Sequence, residues 1–150
     1  MPQSLAKIYI HLIFSTKNRE PVLIREVRAK LNAYIAGILK QHDCIGLEIN
    51  GVADHVHMLF RLGRSIAVAK VVEEVKTGSS KWLKMQSAQL AAFHWQSGYG
   101  AFSVSESAIP EVGAYIRNQN KHHERMSFQE EFRLFLKKHE IEFDERYVWD

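Results

Sequence analysis

Two short groups of residues in this 150-residue chain have the types and the spacing to do chemistry. Asp54-His55-Val56-His57 places two imidazoles two residues apart. Side chains on an extended strand alternate between faces. His55, His57, Leu59 and Arg61 then share one face, while Val56, Met58, Phe60 and Leu62 form a fully apolar back. Two imidazoles on a rigid element with a buried back suit a divalent metal. The plainer alternative is a pair of packed or surface histidines, and two ligands alone do not decide between them.

The second group is Tyr115-Ile116-Arg117-Asn118-Gln119. Residues four apart stack on one face of a helix, so Tyr115 and Gln119 are neighbours and His122 continues the strip. Ile109, Val112 and Ile116 form an adjacent apolar stripe that would anchor it. Gln119 offers a carbonyl oxygen as a third metal ligand, and Tyr115 a phenol that can act as a nucleophile. Read alone, the segment is more readily a half-buried tyrosine beside a solvated glutamine.

Together the two groups fit one reaction. Imidazole suits zinc, manganese, iron, copper and nickel, whereas magnesium prefers oxygen. A mixed site with open positions accepts manganese or magnesium beside a phosphate. A phenol with a pKa near ~10 is a poor nucleophile at neutral pH. A nearby divalent cation stabilises its anion and polarises the phosphate. Attack on DNA would give a phosphotyrosine and a free 3′-OH, exchanging one phosphodiester for another, so no nucleotide cofactor is needed. The chain has no phosphate-cradling Walker loop, no CxxC pair and no GxSxG.

Several elements must position these groups. Alternating apolar residues predict a strand over about 5–15, and Thr16-Lys17-Asn18-Arg19-Glu20-Pro21 a basic loop. Val27, Leu31, Tyr34, Ile35, Ile38 and Leu39 mark one face of a helix over about 23–41. Cys44 to Val52 reads as a second strand, with Asn50-Gly51 as a turn or bulge before the histidine strand. A helix over about 66–76 and another over about 79–86 are separated by Thr77-Gly78-Ser79-Ser80. Phe102 to Ser105 alternates as a further strand, and Ser107 to Arg125 reads as a helix with Pro110 in its first turn. Ser127 and Glu130 have capping-box spacing before a last helix striped by Phe128, Phe132, Phe135, Leu136 and His139. Tyr147-Val148-Trp149 suggests a tail that docks.

The order strand, helix, strand, strand, helix, strand, helix, helix is a split βαβ pattern. It predicts an α+β, ferredoxin-like fold: an antiparallel sheet with helices on one face and extra C-terminal helices. The other face would be open, and His11 could join His55 and His57 there. One domain over 1–150 is expected, with its core at about 5–125 and a C-terminal helix and acidic aromatic tail over 126–150.

Hydrophobic residues make up 46% of the chain and charged residues 25%, an ordinary globular balance. No segment is long and apolar enough to span a membrane. A single cysteine, Cys44, rules out an internal disulfide and is neutral between compartments; the absence of an export signal pattern makes the cytoplasm the expected location. Residues 1–139 carry 19 Lys and Arg against 12 Asp and Glu, while the last 11 residues carry one Arg against five acids. A basic body suits a polyanionic partner. Lys17, Arg19, Arg61, Arg64, Lys76 and Lys81 are candidate phosphate contacts, each equally readable as a solvated charge. Trp95 and Tyr99 are candidates for stacking on unpaired bases, although strand-edge aromatics more often pack in a core. His122 and His123 read as helix surface, and Tyr9 as packing.

The chain resembles the single-tyrosine HUH transposases of small bacterial insertion sequences and their REP-associated tyrosine transposase relatives. His55-Val56-His57 matches the HUH motif, and Tyr115 and Gln119 match the family's nucleophile and third metal ligand. Thr16-Lys17-Asn18-Arg19, Lys76-Thr77-Gly78-Ser79-Ser80 and Trp95-Gln96-Ser97-Gly98-Tyr99 also resemble family landmarks, and the match runs from about 5 to 125. The resemblance implies a metal-dependent enzyme that cleaves and rejoins hairpin-flanked single-stranded DNA through a 5′-phosphotyrosine. His55, His57 and Gln119 would hold Mg2+ or Mn2+, and Tyr115 would attack. It also implies a homodimer in which one subunit's tyrosine helix often completes the partner's site. Alternatives are a non-catalytic hairpin-binding protein of the same fold and a replication-initiator or relaxase-type HUH nuclease. A zinc-binding metabolic enzyme on a similar sheet fits less well, given the basic body and the Tyr115/Gln119 pair.

Overall fold

The computed structural model describes residues 2–150. Four strands, β1 (Tyr9–Ser15), β2 (Ile45–Gly51), β3 (His55–Arg61) and β4 (Gly100–Val104), form one antiparallel sheet in the order β2-β3-β1-β4. The helices are α1 (Arg25–Gln41), α2 (Val68–Lys84), α3 (Ile109–Arg117), α4 (Gln119–His122) and α5 (Phe128–Lys138). This is the α+β, split βαβ arrangement expected from the order of elements, with the histidine-bearing strands β1 and β3 adjacent at its centre.

Period-two alternation decides what each face carries. Ile10, Leu12 and Phe14 of β1 and Val56, Met58 and Phe60 of β3 point to α1 and α2, where they meet Leu31, Ile35, Leu39, Val71, Val72 and Val75 in the main core. The intervening residues, His11, Ile13, His55, His57 and Leu59, point to the opposite face. That face is not open. Phe128, Phe132 and Leu136 of α5 pack on Ile13 and Phe102, while Ile116 of α3 packs on Tyr9 and Leu59. Fully burying each such side chain is worth about 1.5–3 kcal/mol, so three on one face hold α5 firmly.

The α2 segment runs unbroken where a break at 77–80 was expected. A Cβ on Gly78 would stand 2.8 Å from the Ile38 Cδ1, so the glycine lets α1 and α2 approach closely. The Ser79 hydroxyl donates to the Val75 carbonyl and accepts from the indole N–H of Trp95 at 3.0 Å. Small residues here serve packing rather than termination. The β2–β3 turn falls at 52–54, because Gly51 is still paired with Val56 and the sheet's irregularity lies between Gly46 and Glu48.

The helix expected over 107–125 is divided. Asn118 has φ −95° and ψ 20°, and α4 starts anew after it. The Asn50 amide nitrogen lies 2.9 Å from the Ile116 carbonyl and 3.3 Å from that of Arg117. These are helix-end carbonyls that need partners from outside the helix. At α5 the Ser127 hydroxyl accepts the Glu130 backbone N–H at 3.2 Å, as the capping spacing requires. The tail docks: Trp149 lies against Phe128 and Phe132, and the Asp150 carbonyl accepts the Gly98 N–H at 2.7 Å.

Candidate active site

Cross-strand register brings the sheet histidines together. His57 pairs with Ile13 across β1–β3, and His11 lies one diagonal step away. Their rings meet, with His11 Nε2 2.8 Å from His57 Nδ1. His55 Nδ1 stands 2.7 Å from an Asp54 carboxylate oxygen, which fixes that nitrogen as the donor. Both HUH rings therefore turn Nε2 outward from the sheet into the same space.

That space is filled by Glu131 of α5, 1% exposed among His55 and His57, neither of which is exposed at all. Its Oε1 lies 2.8 Å from His57 Nε2 and 3.3 Å from His55 Nε2. Its Oε2 lies 3.2 Å from His123 Nε2 and accepts the Tyr115 hydroxyl. The Tyr115 ring is 6.0 Å from that of His57, centroid to centroid, and stacks on His122 at 4.4 Å. Gln119 is buried, and its Oε1 lies 2.9 Å from His123 Nε2. His55, His57, Gln119 and Tyr115, from two distant segments, thus share one site within a single chain. A cavity of about 330 Å3 lined by His11, Val112, Tyr115, His122, Glu131 and Phe135 opens onto it.

The electrostatics follow from burial and from Glu131. Burial works against an ionised Glu131, but the hydrogen bonds from His123, His55 and His57 outweigh it and hold the carboxyl well below the usual range. Burial likewise disfavours an imidazolium at His55, yet Asp54 and Glu131 outweigh it and raise the pKa. At His57 burial wins, and the pKa falls to about 4 in spite of Glu131. His11 is also well lowered, by burial and then by His57. Burial and the adjacent Glu131 charge raise the Tyr115 phenol above its ordinary value, keeping it neutral.

Sequence reasoning missed Glu131 and His123. His123 read as surface, because the break at Asn118, which is accompanied by contacts from Asn50 68 positions earlier, has no local signal. Glu131 had a signal: it lies three residues after Phe128 and four before Phe135, inside the apolar stripe of α5. A carboxylate there needs a buried partner.

The candidate phosphate contacts fare differently. Lys17 and Lys81 are exposed. Arg19, half-buried and with φ 56°, sits 5.9 Å from the Trp149 ring. Arg61 lies 3.4 Å from the Ala6 carbonyl. Lys76 donates to the carbonyls of Gln96, Ser97 and Gly98 at 2.6–3.1 Å, and burial lowers its pKa to about 8. It clamps the 96–98 loop. Trp95 is buried against Phe14 and Phe93, whereas Tyr99 is exposed.

Known proteins resemble this chain in sequence and in fold. Among curated proteins, the chain is 27% identical to the ISDra2 transposase TnpA of Deinococcus radiodurans over 115 residues, covering 73% of this chain and 82% of that one. Its fold is similar to that of a crystal structure assigned as a transposase from Deinococcus radiodurans R1, with TM-score 0.60 and 24% identity over 79% of this chain and 98% of the other. It is equally similar in fold to a REP-associated tyrosine transposase bound to a REP hairpin, with TM-score 0.60 and 12% identity over 82% and 73% of the two chains. The sequence profile of the IS200-like transposases matches residues 4–119, which include both histidines, Tyr115 and Gln119. With most of its length matched, the chain belongs to the IS200-like transposase family, a family of DNA strand-transfer enzymes.

Proposed function

We propose that the protein cleaves and rejoins hairpin-flanked single-stranded DNA through a 5′-phosphotyrosine at Tyr115. The observation that carries this reading is the meeting of the Tyr115 phenol with the His55/His57 pair around one buried carboxylate. The Tyr115 hydroxyl, which donates to Glu131, gives up its proton as its oxygen attacks the scissile phosphorus; the bond from phosphorus to the 3′-oxygen breaks, and that oxygen takes up one proton, so the exchange balances. Rejoining reverses the roles: a DNA 3′-OH attacks the phosphotyrosine and the phenol leaves. His55, His57 and the Gln119 carbonyl would hold Mg2+ or Mn2+, supplying Lewis-acid polarisation of the phosphate and stabilising the phenolate. The donor set fits such an ion, since two Nε2 atoms converge and Gln119 Oε1 lies at the edge of the same cluster.

Exposed Lys17 and Lys81, with Arg19 and Arg61, would contact phosphates and set register. Lys76 would act through the 96–98 loop that it clamps. A hairpin substrate is consistent with the REP-hairpin complex of the structurally similar tyrosine transposase. A cytoplasmic homodimer belongs to the same reading. Because Tyr115 sits at the histidine pair of its own chain, it would attack in that site. A second reading is favoured by the engagement of the Tyr115 hydroxyl with Glu131: a hairpin-binding protein that does not cut. Incubation with labelled single-stranded hairpin DNA and Mn2+ separates the two. A covalent protein–DNA species supports cleavage; hairpin binding with no such species supports the binding protein.

A further inference from the structure

The geometry points to a closed, four-ligand site for a zinc-class cation, made by His55, His57, His123 and Glu131. One ligand atom from each lies within 4.8 Å of all the others. His123 and Glu131 lie beyond the segment that matches the family profile. A tetrahedral zinc ion with nitrogen and oxygen ligands at about 2.0–2.1 Å keeps neighbouring ligand atoms about 3.3 Å apart. Contacts near that spacing run through both carboxylate oxygens: Glu131 Oε1 lies 2.8 Å from His57 and 3.3 Å from His55, Glu131 Oε2 lies 3.2 Å from His123, and His55 lies 3.0 Å from His123.

The outer partners point the same way. Asp54 accepts from His55 Nδ1, so in the neutral ring Nε2 presents a lone pair to the His123 nitrogen and the Glu131 carboxylate. His55 Nε2, His123 Nε2 and the Glu131 carboxylate thus converge on one small, mostly buried volume. Ligating histidines commonly carry such a partner on the far nitrogen, and His11 stands in that place for His57. Gln119 Oε1 lies 2.9 Å from His123 Nε2, so His123 takes the third position and leaves the amide at the edge. Three imidazoles and one carboxylate favour zinc over magnesium, which retains waters for which this buried set leaves little room.

The inference goes beyond the proposed strand-transfer reading and shares with it only His55 and His57. A closed set leaves no position for a phosphate. It also ties α5 to β3 through an ion, so loading should raise the melting temperature of the whole chain.

The test uses the full-length chain stripped with a chelator. Zinc uptake is measured by competition with a chromophoric chelator, and Co2+ loading by visible spectroscopy. One zinc per chain and the intense bands of four-coordinate Co2+ are expected. Glu131→Gln and His123→Asn should each weaken zinc binding by about tenfold or more while Mn2+ affinity, held by His55, His57 and Gln119, changes far less. Wild-type protein that takes up no stoichiometric zinc overturns the site without recourse to any variant. So does zinc binding unmoved in both variants, or a weak six-coordinate Co2+ spectrum. Normal zinc uptake with no Mn2+-dependent DNA adduct sinks the strand-transfer reading instead and leaves this site standing.

Discussion

The Tyr115 hydroxyl donates to Glu131, whose other oxygen contacts His57 and His55. One carboxylate on the C-terminal helix thereby joins the nucleophile candidate to the metal-ligand candidates, and with burial it shifts the ionisation of both.

The first expected consequence concerns the phenol. Burial and the Glu131 charge both raise the Tyr115 pKa. Glu131→Gln removes the charge and leaves the burial, so the Tyr115 titration should move down in metal-free protein. An ultraviolet difference titration between Glu131→Gln and the double variant Glu131→Gln/Tyr115→Phe isolates this one group. A titration no lower than in the corresponding wild-type pair contradicts the assigned cause.

A second expectation concerns pH and the stability of metal-free protein. His57 falls to about 4 from 6.5, and His11 is lowered as well. Below pH 6.5 the unfolded chain takes up protons at these positions that the native chain does not, so stability drops as pH falls toward about 4. Glu131 adds a loss of the same sign further down, since its depressed pKa contributes stability that is present above its unfolded value of 4.5. His55, with a raised pKa, has the opposite sign: its contribution is full below 6.5 and fades as pH rises through the raised value. Two lowered imidazoles against one raised give a net decline with acid. Urea midpoints measured in chelator across this range should fall, and His57→Gln should flatten the fall. A midpoint that is level or rises toward acid contradicts the pattern.

A pair of glycine substitutions tests how α5 is seated. A Cβ on Gly100 would stand 2.5 Å from Cε2 and 2.9 Å from Cζ of the Phe132 ring. Gly100→Ala should therefore cost about 1–3 kcal/mol and speed amide exchange in α5 before the sheet. Gly37, exposed inside α1, has nothing within 4 Å of its added Cβ. Gly37→Ala should instead stabilise by about 0.4–1 kcal/mol. Denaturation of both variants, with exchange mapped in Gly100→Ala, checks the contrast; equal effects of one sign would contradict it.

Much of this architecture was legible in the residues. Period-two reading of the histidine strand marked its two faces, and the Ser127/Glu130 spacing marked the start of α5. The type and distance of His55, His57, Tyr115 and Gln119 were enough to bring them together in expectation. Long-range contacts hid the rest. The break at Asn118 is accompanied by the Asn50 contacts at the end of α3, and the unbroken α2 at Gly78 answers to Ile38. The second sheet face is covered because Phe128 and Phe132 belong to it, which no local period reveals. Glu131 was the exception: its place inside an apolar stripe was visible, and only its partners were not.

The most direct measurement of the proposed chemistry is intact mass of the full-length protein after incubation with single-stranded hairpin DNA and Mn2+. The expected result is a species heavier by one DNA fragment, mapped to Tyr115 and absent in Tyr115→Phe, with hairpin affinity in that variant unchanged. An adduct that persists in Tyr115→Phe, or one mapped to another residue, would contradict the assignment.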